Sequence, residues 1–474
     1  MKRKTHIPTL LALGVGVVSG CGGMQAGQPE QGRPVDYVHQ GVDSPPVLNL
    51  GTYQPVKSGL GVRSSAGSVG VSDRSVDYGL ALRTAALKLR GDLPTLAEIR
   101  RLQAAVAAGA SDGSERDPAK VYGDLVRSYI DTPQTFNRQM MQYWRNVLRM
   151  GDSISGLFGD STTAVRGVSL ETGPAFAARL VAEDRDMRLL FTQDRNTCPT
   201  FDPATATFRD GSCAATGTVV VNGVSLASMG NNVPEGQQAG ILTNPGFQAT
   251  YFSNMGFRRA RAIQEIFACT RYPAEFAAMP KQIGSTLYAS PWPEYSVTSS
   301  DLQSTRPSWT VRRVRGGGTT NSRDYVDFSL ARGCQGCHTT LNRRTPLFAG
   351  FDQVGYYNPT QYMVPVPVTD SPWAQIQDYL PAGNQQLAWK FGKPTNTFQE
   401  FGRAMAEDPQ VHQCFVIRAW NHAYSRDDVV QDLALVPESV TKELVEYFVS
   451  PTGGNFNFKK LLYRLYTDAN FIRF

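Results

Sequence analysis

Two thiols and an imidazole carry the most specific chemistry in this sequence. Cys334-Gln335-Gly336-Cys337-His338 sets two cysteines three positions apart with a histidine directly after the second. That is the C-x-x-C-H pattern of c-type haem attachment. Two thiols so spaced can add to the two vinyl groups of one haem, and the next residue presents an imidazole to the iron. With seven cysteines and five histidines in 474 residues, chance supplies about 0.001 such matches. On this reading one haem c is held covalently by Cys334 and Cys337, with His338 as the proximal ligand. A thioredoxin-like thiol pair would leave His338 unexplained and has no βαβ pattern around it. Half a zinc site lacks a second Cys/His pair at finger spacing. A plain disulfide is the simplest alternative.

The sixth iron position decides what such a haem does. A closed site transfers electrons, whereas an open one binds peroxide, oxygen or another small ligand. Met363, in the proline-flanked stretch Tyr362-Met363-Val364-Pro365, is the expected distal ligand, placed on a loop. Met405, His412 and His422 are weaker candidates, since core packing accounts for the methionine and a surface or capping role for the histidines. Arg312, Arg313, Arg315, Arg343 and Arg344 flank the motif and could pair with haem propionates, although a solvated basic loop is the favoured account. Trp309 could line the haem edge or simply pack.

Other chemistry is sparse. The sequence has no G-x-S-x-G, no H-E-x-x-H and no Walker loop, and no catalytic residue is assigned. Only His338, His412 and His422 lie beyond the N-terminal stretch, which excludes a histidine-rich metal centre. The remaining cysteines are expected to form two bridges, Cys198–Cys213 and Cys269–Cys414. The first would close a short loop for about 3 kcal/mol of chain entropy.

The N-terminus reads as an address. Met1–His6 carries three cations, Ile7–Val18 is apolar, and Val18-Ser19-Gly20 precedes Cys21. A basic region, a short apolar core and small residues before a cleavage point make a secretory signal. The cysteine directly after them makes it a lipoprotein signal, with Cys21 lipidated. Several acyl chains anchor firmly because each buried methylene adds about 0.8 kcal/mol. Export places the mature chain in an oxidising compartment. Gly22 after the lipid cysteine leans toward the outer membrane, on the periplasmic or cell-surface side. Removing Lys2, Arg3 and Lys4 leaves 44 basic against 41 acidic residues. That balance gives no electrostatic footprint for nucleic acid. Beyond the first twenty residues no apolar run is long enough to span a membrane, so membrane contact is through the lipid anchor only.

These groups must be positioned by a mainly α, multi-helix fold with long ordered loops and a C-terminal cytochrome-c-like haem region. Residues 1–20 are the signal and 21–74 a flexible tether, rich in Gly, Ser, Gln and Pro. Within it, Gly59–Gly70 resembles a phosphate loop only superficially. Residues 75–195 form an N-terminal helical domain. Thr95 and Glu98 make a capping box, and Pro118 and Pro133 sit where helices begin. Another helix is expected near Pro174–Glu183. Residues 196–330 are loop-rich, with a β-rich run at Thr216–Val224, a helix at 257–269, and a mostly irregular Gln282–Gly333. Residues 331–474 hold the haem motif and helices at Phe398–Glu407, Pro409–Tyr424, Pro437–Val449 and Phe456–Tyr466.

Phe351-Asp352-Gln353-Val354-Gly355-Tyr356, after the C-x-x-C-H, resembles the FDxxG end of an exported cytochrome-c-like family found in planctomycetes and myxobacteria. Gly240-Ile241-Leu242-Thr243-Asn244-Pro245 followed by Arg258–Cys269 is similar to that family's GxLTxP segment and its partner helix. Leu82–Glu98 resembles its PTxxE helix pair, Tyr129–Arg149 its tryptophan-bearing helix, and Lys459–Phe474 its closing helix. The likeness covers about residues 78–474 in order. The chain departs from it at Asn342–Phe348, where the family has Asp-Pro-Leu-Gly, and at Tyr357-Asn358, where an arginine is usual. The resemblance implies an exported, c-type cytochrome-like protein and names no substrate.

The expected function is electron transfer by a lipid-anchored monohaem protein at the cell envelope, with a redox protein as partner. A haem enzyme with an open sixth site, peroxidase-like or oxidative, is the alternative from another class. A non-haem envelope lipoprotein that binds a partner through its large loops is the third.

Overall fold

The computed structural model describes residues 74–151, 169–213, 219–221, 224–226, 232–252, 256–270, 308–313, 321–326, 341, 343–345, 347–348, 350–351, 355–357, 363–365, 373–375, 387–390, 395–426, 428 and 436–474. The fold is mainly helical, with 57% of the described residues in helix.

Short polar side chains and prolines start these helices. Asp77 accepts from the Leu80 amide to open α1 (Tyr78–Leu89). The Thr95/Glu98 capping box opens α2 (Leu96–Ala108), each side chain holding the other's backbone amide. Asp117 caps α3 (Pro118–Ile130) and Thr132 precedes α4 (Pro133–Leu148), each with proline in the first turn, where its missing amide costs nothing. α5 (Thr172–Ala182) and the short α6 (Leu189–Thr192) come next. A 3-10 turn at Gly240–Thr243 leads into α7 (Pro245–Thr250), capped by Asn244. α8 is Phe257–Phe267. Four helices end the chain: α9 (Phe398–Ala406), α10 (Pro409–Ala423), α11 (Glu438–Val449) and α12 (Phe458–Tyr466). Thr397, Asp408 and Asn457 cap α9, α10 and α12 through their side chains.

The apolar faces meet in one continuous core. α4 packs along α5, and α1 on α3 and α10. The closing helix α12 lies against α3, α5 and α10, and the Tyr122 hydroxyl donates to the Tyr466 carbonyl at 2.6 Å. Trp144, Phe136, Tyr122, Phe176 and Tyr466 are all buried. Sequestering each such ring stabilises the fold by about 2–3 kcal/mol. The chain end closes on its own beginning, with Val76 bridged to Arg473. Helices from 75–195 and from 331–474 therefore share one hydrophobic cluster.

Strands occur as four antiparallel pairs: β1 (Thr200–Asp202) with β2 (Thr207–Arg209), β3 (Val219–Val221) with β4 (Val224–Leu226), β5 (Ser308–Arg313) with β6 (Asn321–Val326), and β7 (Met363–Pro365) with β8 (Trp373–Gln375). The β-rich run read at Thr216–Val224 overlaps this second pair through β3 and the first residue of β4, and residues 216–218 lie outside the described residues. Asn222-Gly223 between its strands is the strongest short-range hairpin signal. The third pair corrects the irregular reading of Gln282–Gly333. β5 and β6 place Thr310 opposite Asp324 and Trp309 opposite Tyr325. The β-branched and aromatic residues there favour strand, and the surrounding prolines and glycines masked that signal. β8 lies against β5.

Candidate functional site

The C-x-x-C-H residues Cys334, Cys337 and His338 lie outside the described residues, as does Cys21. Their surroundings can be built from the segments that flank them. One hairpin, β5–β6, precedes the motif in sequence and the other, β7–β8, comes after it. The contact of β8 with β5 thus brings together the chain on both sides of the motif. Met363 is the first residue of β7, with Gln375 as its register partner. This corrects its assignment to a loop: Pro365 is the last residue of a three-residue strand, a terminal position at which proline is tolerated.

The segment leaving the motif is tied into the core by buried arginines. Arg259 of α8 is fully buried. Its Nε donates to the Gln248 carbonyl at 2.9 Å, and its Nη1 to the carbonyls of Phe348 at 3.0 Å and Phe351 at 2.8 Å. One guanidinium so satisfies three backbone acceptors from two segments, and its charge is tolerated inside because its donors are so used. Arg344 stacks on the Trp389 ring with its guanidinium carbon 4.1 Å from the ring centroid. It donates through Nε to the Trp389 carbonyl at 2.8 Å and through Nη1 to Gln264 Oε1. Trp389 in turn donates from Nε1 to Asp408 Oδ2 at 2.8 Å, the oxygen that also pairs with buried Lys390.

This geometry corrects the reading of Arg343 and Arg344 as a solvated basic loop, because both are buried. The Arg344 guanidinium engages Gln264, the Trp389 carbonyl and the Trp389 face. The backbone groups of Arg312 and Arg313 sit in β5, opposite Ser322 and Asn321, and Arg315 lies outside the described residues.

Gly355 seats closely against the start of α7. Its φ is +86°, and a Cβ there would run into the Pro245 carbonyl. The glycine thus meets the first residue of α7, Pro245. Phe351 bridges to Tyr357, and its ring lies 5.5 Å from that of Phe398 on α9.

The other candidate ligands are buried or half-buried in the core. Met405 is fully buried in the apolar core of α9, the packing role that its helical position suggested. His412 is buried too, its Nε2 2.7 Å from the Ala406 carbonyl and its ring edge-on to Phe456. This replaces the expected surface or capping role. Burial lowers its pKa below the ordinary value. His422 packs edge-on to Tyr143 at 5.0 Å between ring centroids. Desolvation, reinforced by the nearby Lys88 cation, pushes its pKa down to about 3. Its Nε2 is shielded from solvent and has no hydrogen-bond partner among the described residues. Nowhere among the described residues do three or more His, Cys, Asp or Glu side chains gather as a metal site.

Four cysteines are joined in two bridges. Cys198 links to Cys213 with their Cα atoms 5.2 Å apart, and Cys269 to Cys414 at 5.3 Å. The first ties the chain just before β1 to the irregular stretch after β2. The second fastens the exit of α8 to the middle of α10. Alongside it, Arg418 of α10 donates to the carbonyls of Ile266 at 2.7 Å and Glu265 at 3.0 Å, closing the open C-terminal turn of α8. Asp428 pairs with Arg418 at 3.3 Å. Burial drives the Asp428 pKa up to about 6, with Arg418 opposing that rise.

Arginine on an apolar stripe is the signal that marks Arg259. It shares helical spacing with Ile263 and Ile266, both fully buried, so its side chain had to find partners inside. No such periodicity identifies Arg344, Gln264 or Trp389, whose partners come from distant parts of the chain. Comparison with known proteins found no match to a protein-family model, a curated protein or a solved structure.

Proposed function

We propose that the chain is an exported, lipid-anchored, monohaem c-type cytochrome-like protein that passes electrons at the bacterial cell envelope. The observation that carries this is Cys334-Gln335-Gly336-Cys337-His338, a spacing that chemistry requires for haem attachment and chance does not supply. In this reading Cys334 and Cys337 provide the thioethers, His338 the proximal ligand and Met363 the distal one. Haem held there would supply a one-electron couple.

Three features support the assignment. The two disulfides account for Cys198, Cys213, Cys269 and Cys414, leaving Cys21, Cys334 and Cys337 of the seven cysteines for lipid and haem. Met405 and His412 are spent on packing and on a backbone carbonyl. Arg259 and Arg344 hold the described residues that follow the motif, Arg344, Phe348 and Phe351, in the core. The likeness to the exported cytochrome-c-like family, and a location on the periplasmic or cell-surface side of the outer membrane, belong to the same proposal. So does a redox protein as partner.

The test is a reduced-minus-oxidised spectrum of the full chain expressed with cytochrome c maturation machinery, read beside its intact mass. A covalent haem mass with a sharp low-spin band is expected, and Met363→Ala should convert that band to high spin. A covalent haem that is already high-spin would overturn electron transfer in favour of a ligand-binding haem enzyme. Absence of haem would overturn the cytochrome reading altogether.

A further inference from the structure

The described residues leave eight large hydrophobic side chains exposed, and they are not scattered evenly. Val76, Leu80, Leu87, Leu93 and Leu96 fall between the residues just before α1 and the first residue of α2. A sixth, Phe474, is brought beside them, because its amide donates to the Ser75 carbonyl at 3.1 Å and Val76 bridges Arg473. Leu80 and Leu87 lie seven residues apart on the outer stripe of α1, with exposed Arg83 between them, while Ala81, Leu82, Ala85, Ala86 and Leu89 fill the buried side. A helix whose outward stripe is also apolar has a second surface to satisfy.

Position says what covers it. α1 is the first element after residues 21–74, the stretch that connects the folded body to the lipidated Cys21 in the proposed function. In that reading the edge from which α1 starts is the part of the body joined most directly to the bilayer anchor. Arg83 and Arg100 are exposed around the leucines, with Asp92 an exposed acid among them, and a net basic rim beside apolar residues suits a headgroup layer containing anionic lipid.

From the apolar edge and its place on the chain, we infer that Val76, Leu80, Leu87, Leu93, Leu96 and Phe474 form a membrane-surface docking face. It rests the folded body on the phospholipid leaflet that receives the Cys21 acyl chains, and so rests on the lipoprotein reading. The acyl chains supply attachment; this face supplies orientation, fixing which side of the body points away from the membrane toward a partner.

The decisive sample is the full mature chain carrying Cys21→Ser, exported behind a signal cut by the general signal peptidase, so that no acyl chain contributes. It should co-sediment with phosphatidylethanolamine–phosphatidylglycerol vesicles. Leu80→Ser with Leu87→Ser should lower its partitioning about tenfold, the loss expected when two leucines no longer insert, while the cooperative thermal transition is kept, since both side chains are exposed and the cost is about 1 kcal/mol of helix propensity. Val440→Ser, an exposed apolar residue on α11, should leave partitioning as it was. The inference is overturned if the unacylated chain ignores vesicles, or if the double variant binds as well as its parent. A dimer in solution that the same double variant dissociates would also overturn it, assigning the face to a second copy. Whether native Cys21 carries acyl chains is read separately by intact mass, so failure of the anchor and failure of the face are distinguishable.

Discussion

At the residue scale, buried charge does the positioning. Arg259 gives three hydrogen bonds to carbonyls that have no water to turn to, so Arg259→Met should destabilise the protein by about 3 kcal/mol in denaturant unfolding. Leu→Ala at an exposed position such as Leu96 should change it little. Gly355→Ala combines a positive φ with a collision against Pro245, and should cost about 2–4 kcal/mol. Two titrating groups oppose each other in acid. Asp428 is raised to about 6 when folded, so between its ordinary 3.8 and 6 the folded state holds the extra proton and stability falls as pH rises. His422 is lowered to about 3, so from its ordinary 6.5 downward the unfolded state holds the extra proton and stability is lost on acidification. The slopes, each about 1.4 kcal/mol per pH unit at most, nearly cancel where the windows overlap. Asp428→Asn should therefore steepen the acid loss of stability between pH 6 and 3.8, and His422→Phe should make it shallower. Denaturant midpoints measured across that range check both.

At the element scale, α8 is the joint of the structure. Its start feeds Arg259 toward the segment after the C-x-x-C-H motif, and its end is held to α10 by Cys269–Cys414 and by Arg418. The longer closed loop removes more freedom from the unfolded chain: the 145-residue separation of Cys269 and Cys414 against 15 for Cys198 and Cys213 corresponds to about 5 versus 3 kcal/mol. Cys269→Ser with Cys414→Ser should accordingly lower stability more than Cys198→Ser with Cys213→Ser, as read by thermal unfolding without reductant. Helix beginnings were legible at this scale because caps are local: Thr95 with Glu98, Asp117 with Pro118 and Asp408 with Pro409 each declare a first turn within four residues. The β5–β6 pair was not legible, because pairing residues 308–313 with 321–326 depends on cross-strand contacts that no single stretch displays.

At the scale of the whole molecule, the first and last helices complete one another. α12 covers α3 and α5, and the end of the chain lies across the start of α1. A fragment holding residues 75–195 alone would expose the faces that α10 and α12 cover, and should show helical circular dichroism without a cooperative thermal transition. Restoring residues 196–474 restores the transition. A C-terminal deletion from Asn457 should fail in the same way, since it removes the Tyr466 carbonyl that Tyr122 bonds and the rings of Phe458 and Tyr466.

The sequence by itself determined the mainly helical class, the helix starts and the candidate chemistry at Cys334, Cys337 and His338, because capping, apolar period and motif spacing act over a few residues. Tertiary structure decided the fates of Arg259, Arg344, Met405 and His412. Whether an arginine meets solvent or a carbonyl, or a histidine meets a metal or Ala406, depends on which distant segment the core brings beside it. Arg344 and Gln264 are eighty residues apart in sequence, and only the burial of the apolar faces around them makes the two side chains neighbours.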